Sequence, residues 1–255
     1  MIRTTLQRTK KATYAILGPS PIPEHQGMPT PMGTGFFIHG SGLFLTAHHV
    51  VATITHIEQV HLLQSPGEDG WGTPMLQWPA VAREWPEFDL ALLQVDFSRN
   101  ASKAHLQGLE AFDYIEVDVG PQQEGQPAYS FGYPLPQTPA PVSLPGGVMM
   151  GHVGLGPRTT SAIISSTVEH TKMVDTAGDA RVYVLDKALN YGNSGGPVIA
   201  SETGKAFGVC ARFQPVFIPQ PSGAAVMIPS LYGIAISVGN VASELRSMID
   251  YLNDG

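Results

Sequence analysis

The chain has 255 residues, 43% hydrophobic and 14% charged, which is enough apolar material for a core and too little charge for a disordered chain. Fourteen Lys and Arg stand against 21 Asp and Glu, a net charge of −7, and the one cationic run (Arg8, Lys10, Lys11) is short, so neither nucleic acid nor an anionic membrane is an expected partner. A single cysteine, Cys210, excludes an intrachain disulfide and a Cys-based zinc site, and no metal or cofactor is expected.

Residues 1–15 mix polar and basic residues with no apolar stretch, unlike a secretory leader, and no window approaches the ~18 consecutive apolar residues of a membrane span. With one cysteine, this places the protein in the cytoplasm as a soluble chain. Glycine and proline number 28 and 22, well above the average usage of about 12% for the two together. Spread without a short period, they mean many turns and favour β architecture. Residues 13–17 read as a strand, followed by a proline-rich loop. Gly35-Phe-Phe-Ile-His-Gly-Ser-Gly-Leu-Phe-Leu-Thr46 reads as a β-hairpin turning at His39-Gly-Ser-Gly42. Strands are predicted over 57–63, 73–81 and 89–95; residues 97–123 are mixed and polar. A second series covers 127–132, 148–155, 161–168, 180–185, 198–200, 206–213, 224–228 and 232–237, with a proline-rich interruption at 134–145. Gly151-His-Val-Gly-Leu-Gly156 lacks the order of a dinucleotide loop and reads as turn and strand. Val241, Leu245, Met248, Ile249 and Leu252 recur at helical spacing. The expected fold is all-β: two antiparallel six-stranded β-barrels, over about 10–118 and 119–237, with a closing helix over 238–252.

Three segments carry candidate chemistry. Gly192-Asn-Ser-Gly-Gly-Pro197 surrounds a serine with glycines, which lets the backbone turn sharply and aim amide N–H groups at one point. The same spacing fits a glycine-rich turn with an ordinary serine. Leu45-Thr-Ala-His-His-Val-Val51 offers an imidazole able to act as a base near neutrality, though with nine histidines in the chain one alone says little. Phe88-Asp-Leu-Ala-Leu-Leu-Gln-Val95 opens an apolar strand with an acid. By itself Asp89 reads as a turn residue; as a functional residue it would accept the hydrogen bond of a histidine Nδ1–H, fix its tautomer and stabilise the imidazolium.

In the order His, Asp, Ser, these segments resemble the chymotrypsin/trypsin-like serine protease family, closest to the bacterial HtrA/Deg-like branch. Gly33-Thr-Gly-Phe-Phe-Ile38 and Tyr232-Gly-Ile-Ala-Ile236 extend the match from about residue 33 to 252. The resemblance implies a triad of His49 (the histidine before Val-Val, not His48), Asp89 and Ser194. It implies an oxyanion hole from the N–H groups of Gly192 and Ser194. It assigns the specificity pocket to Ala188, six residues before the serine, and to Gly233. The strand Cys210-Ala211-Arg212-Phe213 would pair with an extended substrate. No acid stands at Ala188, so small-to-medium apolar P1 residues are expected. Cys210 itself reads as a small buried apolar residue.

Two departures limit the resemblance. Asn193 stands where digestive members carry the Asp that pairs with a newly cut N-terminus, so that activation route is not implied. No PDZ domain follows the helix, and none of that domain's substrate choice carries over. The loops at 18–33, 96–125 and 133–147 have no clear counterpart and read as lids, substrate filters or partner surfaces. The expected function is serine endopeptidase, acting on protein or peptide substrates. The alternatives are a latent protease switched on by a regulatory protein, or a non-catalytic peptide-binding module on the same fold.

Overall fold

A computed structural model describes residues 2–19, 29–52, 54, 56–64, 76–77, 79–134, 142–143, 149–150, 155–171, 179–220 and 225–254. Apolar runs between glycines and prolines form six antiparallel strands in the first half. These are β1 (Thr13–Pro19), β2 (Pro29–Phe37), β3 (Leu43–Ala47), β4 (His61–Leu63), β5 (Pro79–Trp85) and β6 (Leu90–Val95). They pair in the order β4-β1-β2-β3-β6-β5. The predicted hairpin is β2–β3, with Phe36 opposite Leu45 and Phe37 opposite Phe44. Gly42 closes it at φ +103°, where a Cβ would lie 1.9 Å from the Val95 carbonyl oxygen. Tyr14, Phe37, Phe44 and Phe112 fill the core of this sheet, Phe37 stacking on Phe112 at 4.2 Å.

The second half begins with β7 (Pro127–Gly132) and a separate two-residue ladder of β8 (Val142–Ser143) and β9 (Met149–Met150). Then come β10 (Arg158–Thr171), β11 (Ala180–Leu185), β12 (Pro197–Ala200), β13 (Ala206–Pro219) and β14 (Ala225–Ser237). β7 pairs with both β10 and β12, which closes a barrel in the order β10-β11-β14-β13-β12-β7.

The expectation of two closed barrels is therefore corrected: only the second sheet closes, and the first is open. The reason lies at its edges. Of the strand predicted over 57–63, residues Ile57–Gln59 form a 3-10 turn and only His61–Leu63 pair. A three-residue edge cannot support a ladder to the far side, and among the described residues one isolated bridge, Leu62 to Leu76, stands in its place. On the opposite edge β5 starts at Pro79, which has no N–H to donate. Parts of the predicted strands over 73–81, 148–155 and 224–228, of the glycine-spaced segment 151–156 and of the proline-rich loops lie outside the described residues.

The closing helix is α4 (Ala242–Asn253), preceded by a 3-10 turn over Val238–Val241; two one-turn helices, α2 (His48–Val51) and α3 (Phe97–Asn100), come earlier. Leu245 of α4 is buried, with Met248, Ile249 and Leu252 packed on the same core. An eleven-residue helix, α1 (Ile2–Ala12), was not expected. Its sequence is polar on average, and it docks through Ala12 and Leu6, both against the core, and through polar contacts. Thr9 Oγ1 lies 3.2 Å from Tyr129 Oη, and Arg8 Nε donates to the Tyr114 carbonyl at 2.8 Å. Among the described residues no helix is long and apolar enough to cross a membrane.

Candidate active site

The histidine and the acid come from neighbouring strands. β3 pairs with β6 so that Ala47 faces Leu90, and the residues just beyond, on α2 and on the turn before β6, lie side by side. Asp89 caps the 3-10 turn Pro86–Phe88 in the left-handed region (φ 52°, ψ 41°). It is the one described non-glycine residue with positive φ, a conformation that aspartate tolerates better than most residues. Its carboxylate is 6% exposed and fully engaged. Oδ1 accepts the His49 backbone N–H at 2.9 Å, and His49 Nδ1 lies 2.8 Å from Oδ2 and 3.0 Å from Oδ1. An ionised carboxylate only accepts, so Nδ1 carries the proton and Nε2 is left to face the cleft. The adjacent imidazole goes elsewhere: His48 Nε2 lies 3.5 Å from Glu84 Oε1.

Ser194 sits in the loop between β11 and β12, which is held almost wholly by backbone. Gly195 N–H donates to the Cys210 carbonyl (2.7 Å), Cys210 N–H to Gly196 (2.8 Å), Gly196 N–H to Asn193 (2.8 Å) and Asn193 N–H to Asn190 (3.0 Å). Gly195 has φ +86°, and a Cβ there would lie 2.0 Å from the Thr34 carbonyl oxygen and 2.2 Å from Thr46 Oγ1. Glycine is required on both counts. Gly192 also has positive φ, +93°. Among the described residues the N–H groups of Gly192 and Ser194 have no acceptor, so both are available to a ligand.

One residue that sequence reasoning left without a role ties the open sheet to this loop. Thr34, on β2 and fully buried, donates its N–H to the Ser194 carbonyl (2.8 Å) and its Oγ1 hydrogen to the Gly192 carbonyl (2.6 Å). Its own carbonyl accepts from Thr46 Oγ1 at 2.7 Å, and its Oγ1 accepts the Tyr133 N–H at 3.2 Å. The signal in sequence was a threonine held between Gly33 and Gly35. A Cβ on Gly33 would come within 2.8 Å of the Ser194 carbonyl oxygen, so the strand can approach the loop only without a side chain there.

His49, Asp89 and Ser194 line one cleft of about 490 Å³ between the open sheet and the barrel. Gly192, Ala211 and Arg212 line it too, together with Met32, Leu189, Tyr191 and Phe213. Three of the predicted pocket residues do not. Ala188 is half-buried outside the lining, and the next residue, Leu189, takes the wall. Gly233 is buried behind it: a Cβ there would lie 2.5 Å from Leu189 Cγ, so glycine lets that leucine pack inward. Cys210 is fully buried in the barrel core, where desolvation pushes its thiol up to about 12; its contribution is the backbone that holds the serine loop. The Ser194 hydroxyl donates to the Ala211 carbonyl at 2.8 Å and makes no hydrogen bond with His49 in this conformation. Among the described residues no group of three His, Cys, Asp or Glu side chains is placed to hold a metal ion.

The profile of the trypsin-like peptidase domain family matches residues 33–209. The chain belongs to that family. It is 28% identical over 246 residues to the uncharacterized protein y4bJ of Sinorhizobium fredii, covering 93% of this trypsin-like chain but about a third (32%) of that relative's length. Among solved structures, the HtrA-type protease AlgW with a decapeptide aligns at a TM-score of 0.62 and 19% identity, over 98% of this chain and 68% of that one. The MamO protease domain of Magnetospirillum magneticum, in its apo form, aligns at 0.58 and 15% identity, over 94% and 98%. At these identities the shared property is the fold.

Proposed function

We propose that the chain is a serine endopeptidase in which Ser194 is the nucleophile, His49 the general base and Asp89 the group that orients it. The observation that carries the reading is the convergence of the Asp89–His49 pair and Ser194 on one cleft. Ser194 Oγ attacks the scissile carbonyl carbon while its proton passes to His49 Nε2. The oxyanion is received by the N–H groups of Gly192 and Ser194, whose donors are unused. Collapse expels the amine, which takes the proton from His49, and water repeats the sequence on the acyl-enzyme to release the acid.

This cycle needs one rearrangement. The serine hydroxyl must leave the Ala211 carbonyl and turn to His49. A substrate strand laid along Ala211–Phe213 would supply the displacing donor, because its P1 N–H competes for that same carbonyl. Leu189 and the uncharged wall beside it support small-to-medium apolar P1 residues. The single unpaired cysteine supports a reducing, cytoplasmic setting. A second reading, a protease latent until a regulatory protein binds, is favoured by the same Ser194 rotamer.

Ser194→Ala tests the assignment. Hydrolysis of unfolded casein should fall by at least about 10⁴-fold while the thermal transition is unchanged. Undiminished hydrolysis by the re-purified variant would remove Ser194 from the mechanism.

A further inference from the structure

We infer that Arg212 is a carboxylate reader in the cleft, selecting substrates with an acidic side chain on the face of the substrate strand shared by P2 and P4. The inference rests on the endopeptidase reading for the location of the substrate strand. Its physical basis is separate. Arg212 lines the same cleft as Ser194 and is only partly exposed. Its Nε is buried with no hydrogen-bond partner, and among the described residues its guanidinium makes no ion pair.

That is an unusual position for a guanidinium in a chain with 21 acidic residues against 14 basic ones. The Nε is enclosed by protein, so a ligand in the cleft meets the two terminal nitrogens, which are not buried and have no partner among the described residues; a partly desolvated guanidinium without a counter-charge favours an arriving anion. The cleft supplies no free carboxylate of its own. Asp89 is the single acidic residue in its lining, and both its oxygens are held by His49. The surroundings favour an anion once it is present. Phe213 and Tyr191 pack edge to face at 6.0 Å on the cleft rim, and apolar neighbours weaken screening of a charge pair beside them. A guanidinium also matches a carboxylate with two parallel hydrogen bonds, which an amide of the same shape cannot reproduce.

The strand geometry sets which substrate positions are read, although the register of β13 shifts between Cys210 and Arg212 and again between Phe213 and Pro215. The β12–β13 ladder reaches Pro197 opposite Val209, while β14 pairs with the other edge of β13 at Arg212 and Phe213. Beyond Cys210 the cleft-facing edge of β13 pairs with no described strand, and the Ala211 carbonyl points to Ser194. An antiparallel peptide whose P1 N–H binds that carbonyl sets P2 opposite Arg212, with P4 diagonal to it on the same face.

The test measures binding and turnover separately. Peptides with alanine at P1 carry Asp or Glu at P2 and P4, the Asn or Gln isosteres, or Lys. Their affinities for the Ser194→Ala protein are measured by titration calorimetry. The acidic peptides should bind about 10- to 100-fold tighter than their amide isosteres. The preference should vanish in Ser194→Ala/Arg212→Gln and turn toward Lys in Ser194→Ala/Arg212→Glu. Arg212→Gln keeps the length and polarity of the side chain, so it serves if charge reversal prevents folding. Equal affinity for acid and amide, the result for an arginine that merely covers the apolar wall, would overturn the inference, as would no binding by any peptide. The wild-type protein is assayed on the same peptides. Selective binding without cleavage would retain Arg212 as the reader and overturn the endopeptidase reading instead.

Discussion

The two halves of the cleft are built by opposite means. On the open sheet, the His49–Asp89 pair is held by side-chain hydrogen bonds around a nearly buried carboxylate. On the closed barrel, the serine loop is held by backbone amides, with glycines at 192, 195 and 196 where side chains would not fit or φ is positive. The difference follows from closure. A closed ladder has few loose ends, so it can hold a loop by main-chain bonds from one strand, here Cys210. An open sheet fixes its strand ends less firmly, and a charged hydrogen-bonded pair at the mouth of β3 and β6 sets the geometry instead. Thr34 joins the two schemes by reaching from the open sheet to both carbonyls that flank Asn193.

The largest effect should come from the side-chain-held half. Asp89→Asn keeps the shape but offers Nδ1–H a poorer acceptor and can favour the wrong histidine tautomer, so kcat/KM should fall by about 10³- to 10⁴-fold. A fall below about tenfold would mean the pair is structural rather than catalytic. Thr34→Val comes next. It removes the donor to the Gly192 carbonyl and the Oγ1 that accepts the Tyr133 N–H, at a cost of about 1–3 kcal/mol in stability. Turnover should fall more than KM rises, because the loop that carries the proposed oxyanion donors loses its tie. Thr34→Ser should restore both, and failure of that rescue would place the effect in packing. The smallest effect lies in the barrel core. Burial pushes the Cys210 thiol up to about 12, so an aromatic disulfide reagent should leave the native protein unmodified at pH 8 and react fully once it is unfolded. Because the folded thiol keeps its proton above the pH at which the unfolded one loses it, this group costs stability only as pH rises from about 9 toward 12. Rapid native reaction at pH 8 would contradict the closed packing around it.

Much of the barrel was legible in sequence. The strands over 127–132 and 180–185 fall where their apolar runs begin and end, because turn residues bound them on both sides. Closure was not legible. It turned on whether Ile57–Gln59 extended or coiled, a choice made by tertiary packing and not by composition. Helix α1 was hidden by its polar average, although Leu6 and Ala12 pack on the core. In the site, His49, Asp89 and Ser194 were legible only together, through the order of their segments and the resemblance it carries, since each alone fits a structural role. Leu189 and Thr34 were not legible, since the first depends on the space left by Gly233 and the second on a bond to a residue 158 positions away.

On the proposed reading the two halves assemble one nucleophilic site around Ser194. The direct measurement is labelling of the purified protein with a fluorophosphonate probe, mapped by mass and compared with Ser194→Ala. Such a probe reacts when serine, histidine and oxyanion donors act together. Stoichiometric modification of Ser194, abolished in Ser194→Ala and strongly reduced in Asp89→Asn, is the predicted result. A folded protein that stays unlabelled alone and in concentrated lysate, or is labelled at another residue, would contradict it.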